Sequence, residues 1–409
     1  MMKDPYISIK SINLCYIQAL LYTCFAHTWL NIVRRAGIEK NRITTSKEVT
    51  KKLAIVTGSN TGIGFQTARR LVQEYGWDVI LACRSKDKAI IARNSINDFK
   101  KDIGKNRTCG RAIVIEHVLD LSDFDSIRKY VNEVEKKFDK IDVLINNAGR
   151  NSSGRSAGNP ELNLMFQSNY LGHFLLTGLL LKNKLLLSSS IDSNDGNGSK
   201  VINLSSVMHH FSKGDTIEGK GVESIASTDY WRRRAIYSEK NAPTNVYSAS
   251  KLAAILHAFE LNQRYSNKNL IAIAVNPGAV NSDIWRGFPR FIRRHIFDKI
   301  YLTTEDGSEP VVAAAIRDNL TVGKEKSISN DGKGFSIYIQ PYADPHSIFN
   351  GQLAHATPSS SQGPMKPYTE MLGPYVGHLL TMPRLPENTE AAAKALWKVS
   401  EQMTKSQII

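Results

Sequence analysis

The chain has 409 residues, of which 42% are hydrophobic and 22% are charged, and this balance excludes disordered, collagen-like and polytopic membrane proteins. Its cysteines, Cys15, Cys24, Cys83 and Cys109, are too few and too scattered for a disulfide framework or a Cys-x-x-Cys metal site, and fit a reducing compartment. The formal net charge of +15 suits an anionic ligand, a membrane surface or nucleic acid, and does not choose among them.

The first predicted element is an apolar segment over residues 11–33, which contains no Asp, Glu, Lys or Arg. It is long enough to cross a bilayer, although polar residues such as Gln18 and His27 weaken its insertion. Basic residues are more frequent after the segment than before it, so an anchor here leaves the rest of the chain in the cytosol. A cleaved signal peptide and an amphipathic helix that lies on the membrane or folds onto the domain are the alternatives.

From residue 51 onward, short β-branched runs alternate with longer helical patterns, as in a parallel sheet that helices cover on both faces. The predicted strands are 53–57, 78–83, 112–117, 142–146, 200–204 and 271–275. The predicted helices are 63–75, 86–101, 123–138, 161–181, 245–265 and 389–403. This order predicts an α/β fold, a doubly wound parallel sheet of the Rossmann type in a single domain.

The predicted organisation of the chain has three parts. Residues 1–50 form the hydrophobic anchor and a basic linker, residues 51–322 form the Rossmann domain, and residues 323–409 form a C-terminal extension that completes it. Two polar insertions interrupt the Rossmann domain, one near 185–199 and one at 208–243.

A glycine-rich loop, residues 57–64, joins the first predicted strand to the first predicted helix. Gly58, Gly62 and Gly64 allow a tight turn and a close approach of the backbone to a pyrophosphate, which the N-terminus of the helix then holds. The strand, turn and helix context therefore predicts a dinucleotide-binding loop.

The spacing of these glycines resembles that of the short-chain dehydrogenase/reductase family, and further motifs follow in that family's order. They are Asp120 after the third strand, Asn146-Asn147-Ala148-Gly149 after the fourth, Asn169 in the next helix, Ser206 after the fifth strand, Tyr247-x-x-x-Lys251, and Pro277-Gly278. The sequence at 62–68, 81–84, 169–177 and 207–210 resembles that of the retinol-dehydrogenase-like branch. The resemblance covers about residues 53–320 and implies a nicotinamide-dependent oxidoreductase.

The residues after the second strand favour NADP over NAD. An acidic residue there would bond the ribose hydroxyls of NAD, whereas this chain has Cys83-Arg84-Ser85-Lys86. The Arg84 guanidinium can form bidentate bonds to a 2′-phosphate and stack on adenine, so NADP (NADPH) is the expected cofactor. By the resemblance, the cofactor contacts are Gly58, Asn60, Thr61, Gly62, Ile63, Gly64, Arg84, Asp120, Leu121, Asn147, Ala148, Gly149, Tyr247, Lys251, Pro277, Gly278, Val280 and Ser282.

Tyr247, Lys251 and Ser206 are the predicted catalytic residues. Hydride transfer to a carbonyl requires a proton donor for the developing alkoxide, and Tyr247 can be that donor and the base of the reverse reaction. Lys251 lies four residues further on the same helical face, where its ammonium is expected to lower the pKa of the tyrosine. Ser206 is expected to hold the substrate oxygen, and Ser250 to face elsewhere on the helix. The resemblance adds Asn169, which would hold a water that links Lys251 to solvent.

The expected substrate is a lipophilic alcohol or its carbonyl partner, such as a retinal-like aldehyde or a ketone. Residues 283–301 combine bulky apolar side chains with isoleucines at four-residue spacing, and their position resembles the family's substrate lid. About 40 residues separate Ser206 from Tyr247, which leaves a steroid or tetrapyrrole-type substrate as the alternative. A catalytically silent NADP-sensing or interaction protein is the alternative from another class.

Other ligands have weaker support in the sequence. No metal site is predicted, since His209 and His210 have no matching carboxylates or cysteines beside them. Arg232-Arg233-Arg234 belongs to no nucleic-acid-binding module, so no nucleic acid is expected. The resemblance leaves a homodimer open and, with residues 11–33, implies a membrane-associated protein whose catalytic domain faces the cytosol, for example on the endoplasmic reticulum.

Overall fold

The structure is a computed structural model, which describes residues 51–98, 110–152, 154–186, 198–206, 208–209, 212, 215–217, 221–238, 245–265, 269–278, 280–285, 301–316, 337–340, 379–381 and 388–406. The predicted anchor at 11–33, most of the insertion near 185–199, most of the lid segment 283–301 and the greater part of 323–409 lie outside these residues. Within the described ranges, no helix combines the length and the apolarity that crossing a membrane requires.

The core of the fold is a single large sheet. The described strands are β1 (Leu53–Thr57), β2 (Asp78–Ala82), β3 (Ala112–Ile113), β4 (Val143–Asn146), β5 (Ser199–Leu204), β6 (Asp215–Ile217), β7 (Gly221–Glu223), β8 (Leu270–Val275), β9 (Ile337–Gln340) and β10 (Leu379–Thr381). Eight of them pair in the order β3-β2-β1-β4-β5-β8-β9-β10, all parallel except β10, while β6 and β7 form a separate antiparallel hairpin. The six predicted strands are β1 to β5 and β8, and the doubly wound α/β fold is confirmed.

The two edges of the sheet differ from the prediction. β3 is much shorter than the predicted strand 112–117, because only Ala112 and Ile113 pair with β2 before the chain leaves the sheet. The chain returns where the Leu119 N–H donates to the Cys83 carbonyl at 3.1 Å. At the other edge, β9 and β10 add runs of 4 and 3 residues, which are too short to give a periodic signal in the sequence.

Helices surround the sheet. They are α1 (Gly62–Gln73), α2 (Lys86–Asp98), α3 (Phe124–Glu135), α4 (Leu164–Phe166), α5 (Gly172–Lys182), α6 (Thr228–Ala235), α7 (Val246–Tyr265), α8 (Thr304–Ile316) and α9 (Thr389–Thr404), with a π turn at Gln167–Leu171 and a 3₁₀ helix at Asp283–Trp285. The predicted helix 161–181 begins later than expected, because the Asn163 side chain caps it by accepting the N–H groups of Met165 and Phe166. The π turn then separates α4 from α5.

The helices bury one apolar core on each face of the sheet. Side chains of α1, α2 and α8 fill one core, and those of α3, α5, α7 and α9 fill the other. Ala54, Ile55 and Val56 of β1 are fully buried between the two cores, which explains why this strand is a continuous apolar run. The insertion 208–243 contributes α6, whose Tyr230 and Trp231 are also fully buried.

Candidate active site

The predicted site residues meet at one edge of the sheet because β1, β4, β5 and β8 run parallel. The glycine loop follows β1, Asn147-Ala148-Gly149 follows β4, Ser206 follows β5 and Pro277-Gly278 follows β8. Register places Asn146 beside Asn203, and the Asn146 side-chain amide donates to the Asn203 side-chain oxygen at 2.8 Å. In open α/β sheets, ligands bind at the carboxyl ends of the strands, so this edge is the candidate site.

The glycine loop has the shape that a pyrophosphate requires. Gly58 and Gly62 have φ angles of 65° and 63°, a region that side chains rarely adopt. A Cβ on Gly64 would lie 2.7 Å from the Gly58 carbonyl oxygen and closer still to the Asn147 side chain. Thr61, at the N-cap of α1, makes no side-chain cap bond, and the first turn of α1 holds no acidic residue. The helix N-terminus therefore presents backbone N–H groups to an anion, and these residues fit a dinucleotide.

Hydrogen bonds connect the glycine loop to the turn after β4. The Asn147 side-chain amide donates to the Thr57 carbonyl at 2.7 Å, and the N–H groups of Asn147 and Ala148 both donate to the Thr57 hydroxyl at 2.9 Å. These bonds hold the two turns that are predicted to contact a cofactor in one fixed arrangement. The sequence alone gave Thr57 no role.

Tyr247 and Lys251 lie one turn apart near the start of α7. The Lys251 ammonium is 5.6 Å from the centre of the Tyr247 ring and donates to the Leu204 carbonyl at 3.1 Å. Ser206 lies close enough to Tyr247 to lower the pKa of its phenol. The structure thus brings together the three residues that the sequence predicts to be catalytic.

Burial shifts the pKa values of both Tyr247 and Lys251. It raises the pKa of the Tyr247 phenol, and the opposing effect of Ser206 offsets that rise only in part. The direction is opposite to the expectation from the Tyr-x-x-x-Lys spacing, because removal from water is the largest effect on the phenol. Burial also lowers the pKa of Lys251 to about 8, so this lysine can give up a proton near physiological pH.

Asn169 lies in the π turn and contacts both neighbouring elements. Its side-chain oxygen accepts the Arg150 N–H at 2.8 Å, and its amide donates to the Arg150 carbonyl at 3.0 Å and to the Ser250 hydroxyl at 3.1 Å. A Cβ on Gly149 would be 3.6 Å from both the Asn169 side-chain oxygen and the Lys251 ammonium, so glycine leaves space between them. Ser250, expected to face elsewhere, instead faces Asn169, three residues along the helix from Tyr247.

The remaining predicted cofactor residues surround the same edge. Arg84 is exposed after β2, while the nearby Lys86 pairs with Glu116. Asp120 is half-buried, and its carboxylate accepts the N–H and the hydroxyl of Ser122 at 2.9 and 2.6 Å. The others are Asn60, Ile63, Gly278 and Ser282, which are half-buried, and Leu121, Pro277 and Val280, which are buried.

One contact across this edge was not predicted. The Thr61 hydroxyl donates to the Asp283 carboxylate at 2.9 Å, which ties the glycine loop to the segment after β8. Ser282 lies next to Asp283, and its Cβ is 3.9 Å from where a Cβ on Gly62 would be. Among the described residues, no group of three or more His, Cys, Asp or Glu side chains is placed to hold a metal ion.

Comparison with known proteins agrees with this geometry. Residues 52–214 match the family described as short chain dehydrogenase. The chain is 30% identical to mouse "Retinol dehydrogenase 13" over 322 residues, 75% of this chain and 86% of that protein. It is 31% identical to mouse "Retinol dehydrogenase 12" over 278 residues, 68% of this chain and 77% of that protein. A crystal structure of a protein from Mycobacterium paratuberculosis shares the fold, with a TM-score of 0.54, 23% identity and coverage of 88% of this chain and 96% of that one.

Proposed function

The chain belongs to the short-chain dehydrogenase/reductase family and resembles its retinol dehydrogenases, and from this premise we propose that it is an NADP-dependent oxidoreductase that interconverts a lipophilic alcohol with its aldehyde or ketone. The observation that carries the proposal is the convergence of Ser206, Tyr247 and Lys251 beside a glycine loop that fits a dinucleotide. Each of these residues has a distinct role in the proposed reaction.

In the direction of reduction, Ser206 holds the substrate oxygen and Tyr247 gives its phenolic proton to that oxygen. A nicotinamide dinucleotide held by the glycine loop would supply the hydride for the carbonyl carbon. Tyr247 then regains a proton through Lys251, whose pKa of about 8 suits proton exchange, and through the water that Asn169 would hold by family resemblance. In the direction of oxidation, the same groups take the alcohol proton. Because its pKa is raised, the Tyr247 phenol is protonated at neutral pH and can donate its proton in the direction of reduction.

Preference for NADP is supported by Arg84, which follows β2 with an exposed side chain, and by the lack of an acidic residue in residues 83–86. Arg84→Asp is expected to raise the Kd of NADPH at least about tenfold and to lower that of NADH, because a carboxylate repels a 2′-phosphate and accepts ribose hydroxyls. Titration calorimetry measures both constants. Lys398→Asp in α9 is the charge-matched control. A wild-type preference for NADH, or no change in Arg84→Asp, would contradict this part of the proposal.

A lipophilic substrate is supported by the similarity to retinol dehydrogenases. A membrane location is supported by the uncharged segment 11–33, which lies outside the described residues. We propose that this segment anchors the full chain to lipid. In vesicle flotation the full chain should float with the lipid, and Leu21→Arg should leave more of it in solution. Equal flotation of the two proteins would refute anchoring through this segment.

The test of the activity is NADPH consumption by the full chain with a panel of lipophilic aldehydes, ketones and steroids. Turnover with long-chain or retinal-like aldehydes supports the proposal, and turnover with steroids alone would support the alternative substrate class. Thermal stabilisation by NADPH without any turnover would instead favour a protein that senses the cofactor.

A further inference from the structure

A buried histidine contacts both the cofactor loop and the catalytic asparagine. His173 lies in the first turn of α5, one turn after Asn169, and is 3% exposed. Its Nε2 is 2.9 Å from the Thr57 hydroxyl, and its Nδ1 is 3.1 Å from the Asn169 carbonyl oxygen. Residues 116 positions apart in the chain therefore meet through one imidazole ring.

The bonds to Thr57 decide which nitrogen carries the proton. The Thr57 hydroxyl accepts the N–H groups of Asn147 and Ala148, and these two bonds use both of its lone pairs. Its own proton must then be donated, and the His173 Nε2 at 2.9 Å is a better acceptor than the Ile145 carbonyl at 3.4 Å. Nε2 is thus unprotonated, and Nδ1–H donates to the Asn169 carbonyl.

The surroundings of the ring agree with a neutral imidazole. Burial lowers the pKa of His173 to about 4, and the Lys251 ammonium acts in the same direction. His173 acts in turn on His257, whose pKa burial lowers to about 3. At neutral pH the ring therefore keeps one acceptor for Thr57 and one donor for Asn169.

The two hydrogen bonds of His173 form a bridge from Thr57 to Asn169, and each end of this bridge serves a different function. Thr57 fixes Asn147 and Ala148, which close the dinucleotide side of the site. Asn169 holds the Arg150 backbone and the Ser250 hydroxyl beside Lys251. Among the described residues, no other hydrogen bond joins Thr57 to the π turn, so the imidazole links the two sets of contacts.

We propose that His173 is a positioning residue that couples cofactor binding to the proton-transfer side of the site, by accepting from Thr57 and donating to the Asn169 backbone at the same time. The inference rests on the proposed function, since it needs a dinucleotide in the glycine loop. It concerns the orientation of other groups, and His173 itself does not touch the reacting atoms.

Two amide variants separate the ends of the bridge. In His173→Asn, the side-chain amide can replace Nδ1 as donor to Asn169 but does not reach Thr57. In His173→Gln, the side-chain oxygen reaches the position of Nε2 and can accept from Thr57, while the donor to Asn169 is lost. Thr57→Ser keeps the hydroxyl and is the control for Thr57→Val.

The expected result is a split between binding and turnover. His173→Asn should raise the Kd of NADPH about tenfold, with kcat at saturating cofactor within about twofold of wild type. His173→Gln should keep the Kd within about twofold and lower kcat about tenfold. The Thr57→Val/His173→Asn double variant should bind NADPH no more weakly than Thr57→Val alone, because both changes break the same bond. Titration calorimetry gives the Kd, and single-turnover absorbance gives the rate.

A purely structural role predicts a different pattern. If both amide variants lower the melting temperature and change Kd and kcat in parallel, or if the Thr57 and His173 effects add, the inference is overturned. Should His173→Asn fail to fold, His173→Gln decides, because a kcat loss at unchanged Kd supports the coupling and parallel losses refute it. Wild-type protein that binds no nicotinamide dinucleotide would overturn the proposed function and this inference with it, whereas wild-type binding with unaffected variants overturns the inference only.

Discussion

Replacing Trp397 in α9 with alanine is expected to lower the free energy of unfolding of the whole domain by about 4 kcal/mol. The indole is 2% exposed and lies against α5 and α7, the helices that carry or flank the candidate catalytic residues. Its ring meets Phe174 edge-on at 5.0 Å, and the Arg264 guanidinium lies 4.2 Å from its centre. Its N–H donates to the Glu401 carboxylate at 3.0 Å.

The magnitude follows from these contacts. Removal of a buried Trp or Phe side chain costs about 3–5 kcal/mol, of which an edge-on aromatic pair contributes about 1 kcal/mol and a partly exposed cation–π contact about 0.5–1 kcal/mol. Trp397→Phe keeps the contact with Phe174 and loses the N–H donor, so we expect a loss of about 1–2 kcal/mol. Lys398→Ala, at the exposed neighbouring position, should change the stability by less than about 0.5 kcal/mol.

Urea unfolding of the full chain, followed by fluorescence and by far-ultraviolet circular dichroism, measures these differences. We expect α9 to unfold together with the sheet in coincident transitions, as the predicted role of residues 323–409 in completing the domain requires. A loss below about 1 kcal/mol for Trp397→Ala, or a separate early transition, would refute the reasoning that α9 is part of the cooperative core.

Two further predictions concern the site. Gly64→Ala should raise the Kd of NADPH at least about tenfold, because its Cβ would lie 2.7 Å from the Gly58 carbonyl oxygen. Gly62→Ala has more room, since the nearest atom is the Ser282 Cβ at 3.9 Å, and its positive φ should lower the free energy of unfolding by only about 1–2 kcal/mol. Similar NADPH affinity in Gly64→Ala and wild type, measured by calorimetry, would contradict this prediction. Lys251→Met should be inactive yet more stable than wild type by about 2–3 kcal/mol near pH 7, because wild type buries an ammonium whose pKa falls to about 8. As pH rises from about 8 to about 10.5, folded wild type loses this proton before the unfolded chain does and gains stability, so the difference in stability between Lys251→Met and wild type should disappear. A constant difference in the free energy of urea unfolding across this range would exclude the buried ammonium as its cause.

The sequence predicted most of the sheet because its central strands are buried on both faces. Such strands must be continuous apolar runs, as 53–57 and 271–275 are, and turn residues bound them. The sequences of the edge strands are less indicative of β structure. β3 pairs only two residues, and β9 and β10 are short runs within a stretch that has no hydrophobic period.

The candidate catalytic residues could be proposed from the sequence because their motifs are local. Tyr247 and Lys251 share one helical face, and the glycines follow a strand directly. The supporting contacts depend instead on distances between remote parts of the chain. In the sequence, His173 has the pattern of an ordinary buried helical residue, and only the fold shows that Thr57 lies beside it. The direction of the Tyr247 pKa likewise depends on burial, which residue spacing does not reveal.

The central claim is that Tyr247 transfers the proton that accompanies hydride transfer from NADPH. The most direct measurement is single-turnover oxidation of NADPH with an accepted aldehyde or ketone, in wild type, Tyr247→Phe and Tyr265→Phe, the last being a buried tyrosine at the far end of α7. The account predicts at least about a hundredfold slower hydride transfer in Tyr247→Phe at saturating NADPH, with Tyr265→Phe close to wild type. Equal rates in Tyr247→Phe and wild type would contradict it.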